Sequence, residues 1–76
     1  MNENARSWAL WVLVRGESEA VTNALRFATK EEADAYGVDL DCRWLVPKTL
    51  ESRPSADPVN YSFIAGKLEA VAVVEV

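Results

Sequence analysis

A single stretch of this sequence has helical spacing, and it lies between segments that alternate like strands. Its apolar residues recur every three or four positions, at Ala33, Tyr36, Leu40 and Trp44. Thr29 is followed three positions later by Glu32, and this capping box predicts that a helix begins at Thr29. Because one helix can cover only one face of a sheet, the fold is limited to a few helix-on-sheet arrangements.

The segment before the helix predicts an antiparallel hairpin. Residues 7–15 alternate between two faces that are both largely apolar, as in an inner strand. Residues 16–18, Gly-Glu-Ser, are a turn signal, and residues 21–27 then resume the alternation. Gly37 inside the helix costs about 1 kcal/mol relative to alanine, and it would let the helix lie close to the sheet.

The segment after the helix predicts three more strands. They are expected over residues 50–53, 59–63 and 68–76. Pro54 and Pro58 lack amide donors and predict a loop that interrupts the ladder. Gly66 and Lys67 fit a two-residue turn between the last two strands.

The predicted fold class is therefore α+β. An antiparallel sheet of four to five strands, in the order β-β-α-β-β-β, carries one helix on one face. The 76 residues are enough for one core only, so residues 1–76 are expected to form a single domain. Half of the residues are apolar and 26% are charged, a balance typical of folded chains rather than disordered ones.

Composition also limits the chemistry. The sequence has no histidine and one cysteine, Cys42, which excludes a disulfide framework and the common zinc sites. Its formal charge is −4 and its basic residues are scattered, so we expect no direct nucleic-acid binding. The single cysteine indicates a reducing compartment. The apolar run at residues 8–14 is too short to cross a bilayer, so we expect no membrane association and a cytoplasmic location.

Candidate catalytic groups lack partners. Cys42 has no histidine to act as its base, and Asp39 and Asp41 beside it disfavour the thiolate. The acidic residues of the helix spread around it, which favours a solvated face over a metal site: Glu31, Glu32, Asp34, Asp39 and Asp41. We therefore predict no catalytic, cofactor-binding or metal-binding residue, no small-molecule substrate and no enzymatic activity.

The sheet face away from the helix is the candidate interface. The first and last strands are apolar on both faces, so one apolar set must face away from the helix. We predict an association surface at Trp11, Leu13, Val71 and Val73. The alternative is that the sheet curls enough to bury most of both faces.

A second candidate site is the string from Asp57 to Tyr61. In one interpretation, Asp57 forms an Asx-type turn, Pro58 sets the entry to a strand, and Tyr61 packs inward. In the other, a polar recognition edge for a partner is formed by Asp57, Asn60 and Tyr61. We favour the structural interpretation, because each residue has a local conformational role.

Several of these segments together resemble a family of very small proteins of bacteria, phages and other mobile elements. The resemblance lies in residues 27–36 (FATKEEADAY), Leu40, Arg43-Trp44, residues 57–61 (DPVNY) and residues 66–68 (GKL). It covers about two-thirds of the chain, and the chain departs from the family pattern at Gly37, where alanine is expected, and at Phe63, where tryptophan is more usual. The resemblance implies a hairpin before the helix and no known reaction.

Three functions follow from these observations. The first is a non-enzymatic module that associates with itself as a homodimer or with another protein. The second is an acidic inhibitor whose helix imitates nucleic acid, although Lys30 and Arg43 interrupt its carboxylates. The third is a miniature enzyme.

Overall fold

The structure is a computed structural model and describes residues 5–72. Its elements follow in the order β1 (Ser7–Val14), β2 (Val21–Thr22), α1 (Lys30–Arg43), β3 (Lys48–Ser55), β4 (Tyr61–Ile64) and β5 (Lys67–Ala70). The predicted α+β class and the predicted order of elements are confirmed. No helix within residues 5–72 has the length and apolar character needed to cross a membrane.

The strands form two antiparallel sheets that backbone contacts join. One sheet has the order β2-β1-β3, and the other pairs β4 with β5. Trp8 and Phe27 exchange two backbone hydrogen bonds of 2.8 and 2.9 Å. Phe27 therefore pairs with the same edge of β1 as β2 does. Asn60 N–H then donates to the Arg26 carbonyl, and Val71 N–H donates to the Asn60 carbonyl. The two sheets are therefore linked edge to edge through residues 26–27 and 60–61.

Helix α1 begins where the capping box predicts. The Thr29 hydroxyl accepts the Glu32 N–H at 3.1 Å and lies 3.1 Å from the Glu32 carboxylate. The other carboxylate oxygen of Glu32 accepts the Phe63 N–H, also at 3.1 Å, which joins the start of the helix to β4. The last turn ends at Trp44, whose N–H donates to the Leu40 carbonyl.

The core lies between α1 and the strands on one side of the sheet. Its buried cluster is Leu10, Phe27, Ala33, Tyr36 and Phe63. The Tyr36 ring lies 5.4 Å from the Phe27 ring and 5.7 Å from the Phe63 ring, centroid to centroid. Tyr36 therefore joins residues that follow β2 to residues of β4 beneath one helix.

Gly37 allows the helix to approach β1 closely. A Cβ atom at Gly37 would lie 3.1 Å from Leu10 Cδ1 and 3.6 Å from Leu50 Cδ1. The first distance is shorter than ordinary carbon contacts. The glycine therefore serves packing rather than helix propensity.

Strand β3 is longer than the sequence predicts. It runs from Lys48 to Ser55 rather than over residues 50–53, and it pairs with β1 along its whole length. Pro54 lies inside this strand opposite Trp8, so the prediction that it interrupts the ladder was wrong. An edge strand tolerates proline when the missing N–H would point away from the sheet.

The last hairpin is shifted by one residue from the prediction. Its turn is Ala65-Gly66 rather than Gly66-Lys67, since Ile64 pairs with Lys67. Both turn residues have positive φ, 54° for Ala65 and 77° for Gly66, as a type I′ turn requires. Strand β5 ends at Ala70, and the end of the predicted strand, from residue 73 onward, lies outside the described residues.

Candidate functional site

The predicted interface residues of β1 lie on the sheet face away from the helix. Trp8 and Leu10 pack with the core, so the alternation of the strand turns Trp11 and Leu13 to the other face. Leu13 is 38% exposed. Trp11 is half-buried, and the Arg53 guanidinium lies 4.9 Å from its ring centroid. We call this surface of β1 and β3 the open face.

The remaining predicted interface residues are elsewhere. Val71 follows β5 and lies beside Pro58, Val59 and Arg6. It is therefore next to the β4–β5 sheet and is separate from the open face. Val73 lies outside the described residues. The structure thus brings together Trp11 and Leu13 but does not join them to Val71.

One end of the open face is covered. Ser7 and Ala9 are buried, and the Ser7 hydroxyl donates to the Asp57 carbonyl at 2.7 Å. The Arg26 side chain, 14% exposed, donates through Nε to Asp57 Oδ2 at 3.0 Å. The apolar area available to a partner is therefore smaller than the sequence alone suggests, and it is concentrated near Leu13.

The predicted recognition edge is occupied by contacts within the chain. Asn60 Oδ1 accepts the Arg26 N–H and Asn60 Nδ2 donates to the Ala24 carbonyl, both at 2.7 Å. Tyr61 N–H donates to the Arg26 carbonyl at 3.2 Å, and the Tyr61 side chain packs against the core. Asn60 therefore holds the segment that follows β2, and Tyr61 packs inward as in the structural interpretation. The predicted Asx-type turn is not formed, because Asp57 Oδ2 accepts from Arg26 Nε and the Ser55 hydroxyl rather than from a backbone amide.

The outer edge of β3 is a candidate site that sequence reasoning missed. The Trp8 backbone bonds to Phe27 on the β2 side, so the odd-numbered residues of β1 point their backbone groups towards β3. Their partners in β3 are also odd-numbered, from Thr49 to Ser55. The even-numbered residues of β3 therefore direct their N–H and C=O groups outward, where no described residue pairs with them.

Side chains along β3 carry both signs of charge. On the open face lie Thr49, Glu51 and Arg53, all exposed, and Arg53 Nε is 3.0 Å from Glu51 Oε1. On the helix face Leu50 packs against the core, and the Ser52 hydroxyl donates to Asp34 of α1. Residues 48–55 alternate between the two faces of the sheet, and this alternation could have revealed the whole strand. Pro54 obscured it, because a proline indicates a loop.

Lys48, which sequence reasoning also missed, joins the end of the helix to the start of β3. Its side chain is 1% exposed, and Nζ lies 2.8 Å from Asp41 Oδ1. The same ammonium donates to the carbonyls of Trp44 and Val46, and it lies 5.1 Å from the Trp44 ring centroid. A cation here stabilises the carboxyl end of the helix dipole.

The helix carboxylates are mostly engaged. Asp34 accepts a hydrogen bond from Lys30, which is the main cause that lowers the Asp34 pKa and raises the Lys30 pKa. Asp39 accepts one from Arg43 and raises the Arg43 pKa. With Asp41 paired to Lys48, each aspartate of the helix has a cation beside it. These pairs reduce the anionic character that nucleic-acid imitation requires.

Two shallow grooves border the helix. The groove between α1 and β3 is lined by Leu10, Gly37, Val38, Cys42 and Leu50, with Asp34 and Asp41 at its margin. The groove between α1 and β2 is lined by Val12, Val21, Tyr36, Leu40 and Trp44. Cys42 is an exposed free thiol. Within residues 5–72, no group of three or more Cys, Asp or Glu residues is arranged to hold a metal ion.

Together these features define, over residues 5–72, a small α+β protein with one helix packed on antiparallel sheets, an open face and a strand edge that no described residue pairs with. No family model matches the chain, and no curated protein or solved structure matches it either.

Proposed function

We propose that this chain is a non-enzymatic protein-interaction module that associates with itself. The observation that carries the proposal is the outer edge of β3, an eight-residue strand whose outward backbone groups have no partner among the described residues. An edge of this kind is a template for pairing with another chain. Leu13 on the adjoining open face supplies exposed apolar surface beside it.

The charges of the chain favour a protein partner. The open face next to β3 carries Glu51 and Arg53, one residue of each sign. Phosphate binding needs clustered cations, which this surface lacks within the described residues. We further propose a cytoplasmic location, because the exposed thiol of Cys42 persists best in a reducing compartment.

The test is the mass of the protein in solution. Sedimentation equilibrium at high micromolar concentration is expected to give a species of about twice the 8.4 kDa chain mass, which dissociates on dilution. A mass of one chain throughout this concentration range would contradict self-association.

A further inference from the structure

We propose that the partner of β3 is the β3 strand of a second copy, in an antiparallel pair centred on Ser52. This inference rests on the proposed function and specifies its surface. A two-fold axis perpendicular to the sheet at Ser52 would produce one six-stranded sheet, with the order β2-β1-β3-β3-β1-β2. Both copies of α1 would lie on the same side of this sheet.

The backbone of β3 is suited to this register. The outward groups belong to Lys48, Leu50, Ser52 and Pro54, by the alternation established from the β1 pairing. With Ser52 opposite Ser52, the two serines exchange two main-chain hydrogen bonds. Each Leu50 N–H donates to the Pro54 carbonyl of the second copy. Pro54 lacks an N–H, but in this register it acts as an acceptor.

The charges on the open face select this register. When Ser52 lies at the centre, Glu51 of each copy lies opposite Arg53 of the other. Such cross-strand pairs of opposite charge stabilise a sheet. The chain carries both members, already 3.0 Å apart within one copy, so the edge is complementary to itself.

The neighbouring register is disfavoured by the same side chains. Centring the pair on Glu51 would place two like carboxylates directly opposite each other, which destabilises a sheet. It would also leave Arg53 opposite Thr49. The acidic and basic residues of β3 therefore discriminate between two registers that the backbone alone permits.

The helix side of the edge also fits a second copy. Val38, 67% exposed, lines the groove beside β3 together with half-buried Leu50. The second copy would extend the sheet below this groove and cover part of its apolar lining. The carboxylates at the margin, Asp34 and Asp41, are neutralised by Lys30 and Lys48, so the two helices do not meet as unpaired anions.

The first experiment removes the central outward donor. Ser52→Pro deletes the N–H that points away from β1 and should leave the β1–β3 ladder intact. Ser52→Ala is the matched control, because it loses the hydroxyl bonded to Asp34 but keeps the N–H. In sedimentation equilibrium we expect Ser52→Pro to be a monomer and Ser52→Ala to remain a dimer. A dimeric Ser52→Pro variant would overturn the proposal.

The second experiment tests the charge pairs. Glu51→Arg and Arg53→Glu should each weaken dimerisation about tenfold or more, since each places like charges opposite each other twice. An equimolar mixture of the two variants should recover a heterodimer, in which both pairs are again opposite in sign. Thermal melting of each variant checks that the fold is kept. If Ser52→Pro does not fold, the mixture of the two charge variants tests the proposal by itself.

The outcomes separate this inference from the proposed function. A monomeric wild-type chain overturns both. A wild-type dimer that all the β3 variants leave unchanged overturns the β3 interface but keeps self-association, and Ala70→Pro on the β5 edge then tests the other exposed strand. An Arg53→Glu variant that dimerises like wild type, while Glu51→Arg alters dimerisation, overturns the register centred on Ser52.

Discussion

At the scale of single residues, Asn60 joins the segment before β4 to the segment after β2 through hydrogen bonds of its side chain to backbone groups. Its side chain accepts from the Arg26 N–H and donates to the Ala24 carbonyl, while its own N–H bonds to the Arg26 carbonyl. Asp57 makes an ion pair with Arg26 from a side chain that is 62% exposed. Each side chain has two partners, but those of Asn60 are backbone groups and Asn60 is the less exposed residue, so we rank Asn60 above Asp57 in its contribution to stability.

Asn60→Ala is expected to destabilise the fold by about 1–3 kcal/mol, because it leaves backbone groups of Ala24 and Arg26 without partners. Asp57→Ala should cost about 0–1 kcal/mol, since the Asp57 carboxylate is 62% exposed and the Arg26 guanidinium keeps its other hydrogen-bond partners. The Asp57 carbonyl also still accepts from Ser7. Urea unfolding measures both values. Equal losses for the two variants would contradict this ranking.

Gly37 provides a second prediction at this scale. Gly37→Val should destabilise the protein by about 1–3 kcal/mol, because its side chain would press on Leu10, which is only 3% exposed. Ala35→Val is the matched control on an exposed position of the same helix, where only the propensity difference of about 0.5 kcal/mol applies. Similar urea midpoints for both variants would mean that the helix can move away from β1.

At the scale of elements, the helix was predictable and the strands after it were less so. The helical spacing of the apolar residues and the capping box both depend on neighbours within one or two turns, so the sequence alone defines them. Whether β3 can continue through Pro54 depends on whether the position of its missing N–H points into the sheet or away from it. Only the pairing with β1 decides that. The last turn was misplaced because Ala65 adopts a positive φ that alanine seldom takes.

The β4–β5 turn predicts a stabilising change. Ala65→Asn should raise the stability by about 0.5–1 kcal/mol, because asparagine accepts the left-handed conformation and Asn-Gly is the favoured type I′ sequence. Ala70→Asn on the neighbouring strand is the control, and it should give no gain since strands disfavour asparagine. Thermal melting compares them, and a lower melting temperature for Ala65→Asn would contradict the turn assignment.

At the scale of the whole molecule, the sequence predicted surfaces less well than it predicted the core. It indicated that Trp11 and Leu13 share a face, but periodicity does not reveal that Arg53 lies over Trp11 or that Val71 lies beside a different sheet, after the end of β5. Those facts depend on contacts between distant segments. The outer edge of β3, which no residue of the described range pairs with, was likewise not predictable, because edge position is a property of the assembled sheet.

The two sheets are expected to unfold together. Phe27, fully buried, packs against Tyr36, and Tyr36 also packs against Phe63 of β4. All three tryptophans of the chain, Trp8, Trp11 and Trp44, lie in β1 or at the end of α1. Fluorescence should therefore give the same urea midpoint as the amide exchange of β4 and β5. A lower midpoint for the hairpin would mean that the sheets are independent.

Because Lys48 is buried, the rate at which it is acylated reports how often the carboxyl end of α1 opens. Amine-reactive esters should acylate Lys30 and Lys67 quickly, since Lys30 is 54% exposed in its side chain and Lys67 is exposed. Lys48, at 1%, becomes reachable only when the carboxyl end of α1 separates from β3. Peptide mass spectrometry of its slow acylation would therefore time the opening of that end without any substitution.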